Sequence, residues 1–151
     1  MPRLPPESGW AAVPRAIEMR HLNAPTYIGG EAGDGLNPAW FRAPGPVPDD
    51  PALHQILLTY ASDLSFNDNV VRRHGREGSL ARYTMASLDH AIWFHEPVRV
   101  DQWLLFAMNS PRASGARGFV TGEMYTREGR HVARLAQEAL LRPLGPAGSE
   151  D

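Results

Sequence analysis

The chain has 151 residues, enough for one domain with a real core, and its 42% hydrophobic and 21% charged content fits a folded soluble globule. A formal net charge of -2 gives no electrostatic case for nucleic acid or an anionic membrane surface. The absence of cysteine excludes disulfides, thiolate nucleophiles and zinc-thiolate sites. No apolar run reaches membrane-spanning length, no signal-peptide pattern opens the chain, and all 15 basic residues are Arg, as in GC-rich coding; a cytoplasmic location is expected.

Residues 1–14, "MPRLPPESGWAAVP", carry four prolines and read as a flexible arm of the kind that links domains. A single α+β domain is expected over 15–143, followed by a disordered tail over 144–151. "RAIEMRHL" (15–22) alternates as a short strand, 23–38 reads as loop, and "AWFRAP" (39–44) as a second strand. The clearest helix begins at Asp50, a suitable N-cap, with Pro51 in the first helical position. Leu53, Ile56, Leu57, Tyr60 and Leu64 follow i, i+3, i+4, i+7, i+11 spacing, which predicts the stripe that a sheet covers. From Asn67 to about Ala81 the chain is polar and is read as irregular. Strands are expected at 83–95, 103–110, 118–126 and 131–142, the last two joined by a tight "REGR" hairpin with Gly129 available for a left-handed position. The order implies an antiparallel sheet wrapping a single central helix.

Two residues do not fit a purely structural reading. The last strand carries His131, Ala133, Leu135, Gln137, Ala139 and Leu141 on its apolar face. Burying the Gln137 amide without a partner costs roughly 2 kcal/mol or more, so it needs one. Asp63 borders the apolar stripe near the helix C-terminus, where the macrodipole disfavours a carboxylate. By position it is a surface Asp ending a helix; the functional alternative is a half-buried carboxylate that takes a proton. Ser87 and Asp89 share a strand face, a common and weakly informative pattern. His90 and His95 have no partners at metal-site spacing and are read as packed or hydrogen-bonded. The Arg/Gly-rich stretches "RRHGREGS" (72–79) and "RASGARG" (112–118) match no phosphate-binding motif and are read as solvated loops.

"VPDDPALHQILLTYASDLSF", "ASLDHAIWFHEPVRVDQWLLF", "ASGARGFVTGEMYTREG" and "VARLAQEALLRP" together resemble the C-terminal half of the type II acyl-CoA thioesterases, the TesB-like family. The likeness runs in register from about Ile17 to Pro143. It implies the hot-dog fold, a long helix wrapped by a curved antiparallel sheet. It also implies hydrolysis of fatty acyl-CoA by a water hydrogen-bonded to an Asp, a Ser or Thr, and a Gln. The "YASDL" motif places the Asp on Asp63, the residue before "LDHAIWFH" is Ser87, where many relatives have Thr, and the "QE" motif gives Gln137. By this resemblance Gln137 bonds the attacking water and Asp63 takes its proton, without metal, cofactor or covalent intermediate.

Relatives usually carry two such domains, and Met1 falls where their inter-domain linker runs. The expected partners are therefore acyl-CoA and either a second copy of the chain, as a homodimer or higher homo-oligomer, or a complementary N-terminal hot-dog half. One alternative is a non-catalytic or weakly active half-domain that binds acyl-CoA. A second is an enoyl-CoA hydratase of the same fold, for which Asp68 and His74 would supply the acid–base pair.

Overall fold

A computed structural model describes residues 16–75 and 82–144. The arm over 1–14 and the tail beyond Leu144 lie outside the described residues, as does 76–81. Seven strands form one antiparallel sheet: β1 (Glu18–His21), β2 (Ala39–Arg42), β3 (Tyr83–Ser87), β4 (Ala91–Phe94), β5 (Leu104–Ser114), β6 (Arg117–Thr126) and β7 (His131–Pro143). Their order is β1-β2-β5-β6-β7-β3, with β4 also on β7. The curled sheet packs against the helix α1 (Pro51–Asp63), which is the α+β arrangement expected.

Local sequence accounts for α1 and the final hairpin. Asp50 accepts a hydrogen bond from the Ala52 N–H at 2.9 Å, and Pro51 follows it at the first turn. Gly129 takes φ 88° in the turn between β6 and β7. On β7 the inward face is as the alternation requires, with Ala133, Leu135, Gln137 and Ala139 fully buried and Leu141 nearly so. Phe106 stands at the centre of the core, 5.3 Å from Phe66 and 6.3 Å from Phe41 between ring centroids.

Four expectations are corrected. First, α1 does not turn the stripe Leu53, Ile56, Leu57, Tyr60 and Leu64 squarely to the core: Leu57 and Leu64 pack against it half-buried, and Leu53 is half-buried. The helix buries His54, Leu58, Ala61 and Ser62, while Ile56 is 63% and Tyr60 48% exposed. Periodicity locates the apolar side of a helix but not what lies over it, and the sheet of this chain lies over the neighbouring side.

Second, the polar segment after Asn67 is not irregular throughout: Asp68–His74 forms a second helix, α2, with Asp68, Asn69, Val70 and Val71 buried. Asp68 is satisfied by the Thr26 N–H at 3.0 Å and the Thr26 hydroxyl, and burial raises its carboxyl above the ordinary value against those two bonds. A Cβ on Gly118 would stand 2.1 Å from Val70 Cγ1, so the bare backbone of β6 is what lets α2 seat there.

Third, the strand expected over 83–95 is two. β3 pairs Ser87 with Ala139 and β4 pairs Ala91 with Ala136, so three residues, 88–90, face two, 137 and 138. The Asp89 carboxylate accepts the Glu138 N–H at 2.7 Å, taking the donor that the interrupted ladder leaves. "RASGARG" is likewise not a loop throughout: its first three residues end β5, its last two open β6, and only Gly115 and Ala116, at φ 57° and 58°, turn between them.

Candidate functional site

The extra residue at 88–90 has a chemical consequence. In an unbroken strand Ser87 and His90 would point to opposite faces. The one-residue slip turns both toward Gln137 on the neighbouring strand. Gln137 is fully buried. Its Nε2 donates to Ser87 Oγ at 2.9 Å and to Asn67 Oδ1 at 2.6 Å, and its Oε1 accepts from His90 Nδ1. Asn67 Nδ2 donates to the same Ser87 Oγ at 3.1 Å.

His90 is held from its other side. Its Nε2 lies 2.8 Å from Ser62 Oγ, on the buried face of α1, and that hydroxyl also donates to the Thr59 carbonyl at 2.7 Å. The Phe66 ring meets the imidazole edge-on, 5.9 Å between centroids. The last turn of α1, the residue opening α2, the β3–β4 break and β7 therefore converge on one buried amide, and the group at the outer end of the chain of bonds is the exposed hydroxyl of Ser87.

The expected site residues divide. Ser87 and Gln137 are bonded directly. Gln137's partners are protein groups, Ser87, Asn67 and His90, which use both its N–H bonds; the single water partner that the resemblance implies for it is not needed to satisfy the amide. Asp63 makes none of these bonds. It is the last residue of α1 and exposed, on the same outward side as Ile56, because the helix turns its 54, 58, 61 and 62 positions to the sheet. It adjoins Ser62 and precedes Asn67 by four positions, the two residues through which this part of the chain enters the network. Asp68 and His74 do not form an acid–base pair: Thr26 takes the first, and the second lies 3.2 Å from the Ser110 carbonyl. His95 lies beside His131, with ring centroids 4.6 Å apart and the planes tilted by 53°.

His90 is hydrogen-bonded, as read from the sequence, whereas nothing in the sequence pointed to Asn67 or Ser62. A break was needed to explain how a hydroxyl and an imidazole three apart could serve one amide, and the polar "SLDH" interruption before "AIWF" is the signal that marks it.

A cavity of about 560 Å³ lies elsewhere, beside the start of α1, lined by His54, Gln55, Arg99, Trp103 and Arg127 among others. No network residue lines it. Trp103 also carries the guanidinium groups of Arg20 and Arg42, at 4.5 and 4.6 Å from its ring.

A model of the family described as acyl-CoA thioesterase matches residues 14–140. Acyl-coenzyme A thioesterase 8 of Mus musculus is 36% identical over 135 residues, covering 89% of this chain and 41% of that protein. Acyl-CoA thioesterase 2 of Haemophilus influenzae is 31% identical over 129 residues, 85% of this chain and 44% of that protein. The chain thus spans less than half the length of these curated relatives. Among solved structures, the acyl-CoA thioesterase II TesB2 of Mycobacterium marinum superposes with a TM-score of 0.72 at 36% identity, over 98% of this chain and 57% of that one. The PaaI protein of E. coli, at 12% identity and a TM-score of 0.58 over 85% of this chain and 80% of that one, shares the fold alone.

Proposed function

Because this chain belongs to the acyl-CoA thioesterase family, we propose that it hydrolyses the thioester of fatty acyl-CoA to free acid and coenzyme A, with water as the nucleophile. The observation that carries this reading is the Ser87–Gln137 bond: a fully buried amide holds a hydroxyl that stands at the surface. An amide in that position contributes nothing to the core that Leu or Met would not. Its use is to fix Ser87.

In the proposed reaction Ser87 holds the water over the thioester carbonyl and Asp63 takes its proton as oxygen adds to carbon. Collapse of the tetrahedral adduct breaks the C–S bond, and the thiolate of coenzyme A leaves. Gln137 acts behind Ser87, and no covalent acyl-enzyme forms. The exposed position of Asp63 suits a base that meets substrate and water from the outer side, and holding the water in place is the main catalytic contribution.

Release of free thiol from acyl-CoA tests the reading. Asp63→Asn and Ser87→Ala are each expected to lower kcat on the order of a hundredfold. Ser87→Thr keeps the hydroxyl and stays near wild type. Wild-type turnover in Asp63→Asn overturns its role as base, and no thiol release by the wild-type protein overturns the function.

The working unit we propose is a pair of such domains, formed by a second copy of this chain or by another hot-dog domain. Ile56 and Tyr60 on α1, Leu88 in the β3–β4 break, and Trp93 and Phe94 on β4 are large apolar side chains 38–63% exposed. A sheet edge beside them is what proteins cover or pair. Light scattering decides between the forms: a mass at or above twice 16.7 kDa supports self-pairing.

A further inference from the structure

Asn67 occupies the N-cap position of α2, where an Asn side chain ordinarily turns back to accept a hydrogen bond from the helix's own backbone. It makes no such bond. Its amide is directed instead to the two residues of the candidate site, accepting from Gln137 at Oδ1 and donating to Ser87 from Nδ2. Its own backbone is already helical, at φ -68° and ψ -24°, rather than in the extended form that a capping side chain needs, which leaves the amide free for the site.

Counting protons shows what that commitment does. A serine hydroxyl has two lone pairs and one proton. Ser87 Oγ receives an N–H from Asn67 and another from Gln137, which fills both lone pairs. The one hydrogen-bonding capacity left is its own O–H, at the exposed end of the network. Ser87 can then only donate, to an oxygen lone pair of the water or of the thioester carbonyl. The amide orientations support one another. Gln137 Oε1 faces the imidazole nitrogen of His90, so both its N–H bonds point to Asn67 Oδ1 and Ser87 Oγ, and Asn67 must then turn its own Nδ2 to Ser87.

We propose that Asn67 is a positioning residue that makes the Ser87 hydroxyl an obligatory hydrogen-bond donor toward the reacting oxygen. This rests on the thioesterase reading, and it sets an order of effects that a structural role would not produce. Asn67→Ala removes one N–H from Ser87 and is expected to lower kcat about tenfold, the loss of one hydrogen bond. Asn67→Asp keeps the shape and still accepts from Gln137, but its second carboxylate oxygen faces Ser87 Oγ and captures the hydroxyl proton. Its kcat is expected to fall about a hundredfold, as when a donor to the reacting oxygen is removed, with KM within about twofold.

The near-isosteric change is thus the more harmful one, although Asn67→Asp should unfold at a denaturant concentration equal to or above that of Asn67→Ala. In a Ser87→Ala background the two Asn67 variants should have equal kcat, because the group they act through is gone. A kcat for Asn67→Asp at or above that of Asn67→Ala overturns the proposal, as does an undiminished difference in the Ser87→Ala background. An arm independent of turnover is the ¹⁵N–¹H spectrum of the Gln137 side-chain NH₂. Asn67→Ala should shift one of its two protons upfield and speed its exchange with water, and an unchanged signal overturns the network even if the wild-type protein releases no thiol.

Discussion

At the C-terminal end of α1 Ser62, His90 and Gln137 form one chain of hydrogen bonds, with His90 in the middle. At the N-terminal end His54 accepts the Val100 N–H at Nδ1, 3.2 Å away, and its Nε2 is buried without a partner among the described residues. The charges there stand in ion pairs of the half-exposed Arg99, with the exposed Asp49 and with the more sheltered Asp101, both at 2.9 Å. One end has a costly buried polar group fully satisfied and joined to an exposed hydroxyl. The other has a capped helix start, an orphaned imidazole nitrogen costing about 1–3 kcal/mol, and ion pairs of Arg99 that solvent screens. Complete satisfaction appears where a side chain has to be held in one orientation, and incomplete satisfaction is tolerated where only packing is required.

The largest expected effect comes from removing what both ends share. Leu58, fully buried between them, should cost roughly 2–5 kcal/mol as Leu58→Ala in urea unfolding, by loss of burial and the cavity left. Ile56→Ala, two positions away on the exposed side, should change unfolding by less than about 0.5 kcal/mol in a monomer. A reversal of these two would mean that the other face of α1 is the buried one.

Next is the network end alone. Gln137→Ala should lower kcat on the order of a hundredfold with the circular-dichroism spectrum of the fold retained, since Ala suits the apolar face of β7. Wild-type kcat in this variant would show that Ser87 needs no support from behind.

The capped end should do the opposite. Asp50→Ala removes the bond to the Ala52 N–H and is expected to cost about 1 kcal/mol of stability, with kcat unchanged. A fall in kcat would join the two ends that the comparison separates.

The smallest effect is a pH dependence confined to the same end. Arg99 holds the Asp101 carboxyl at about 2, below its ordinary 3.8. A depressed carboxylate stabilises the fold above its unfolded value, and that contribution is lost as pH falls through the folded one. The difference in urea midpoint between wild type and Asp101→Asn should therefore be level above about pH 4 and shrink toward pH 2. A difference that grows on acidification would show that the Arg99 pair does not stabilise the carboxylate.

By itself the sequence determined the features that depend on near neighbours along the chain. Asp50 and Pro51 start a helix because an unpaired N–H and a fixed φ are local matters. The two-residue alternation of 131–142 puts Gln137 inward, and Gly129 marks the hairpin. The motifs around Asp63, Ser87 and Gln137 carried the family and with it the candidate chemistry. Only the tertiary structure decided which side of α1 is covered, because Leu53, Ile56, Leu57 and Tyr60 show where apolar surface lies and not whether a sheet lies over it. Nor could periodicity supply the one-residue slip at 88–90, since the alternation on each side of it is regular. That slip reverses a strand's faces and so turns both Ser87 and His90 to the Gln137 amide, while the placement of the helices brings Asn67 to the same amide and Ser62 to His90, from 47 to 75 positions before Gln137 in the chain. A hydrogen bond across such separations follows from strand register and helix placement, which are properties of the folded chain.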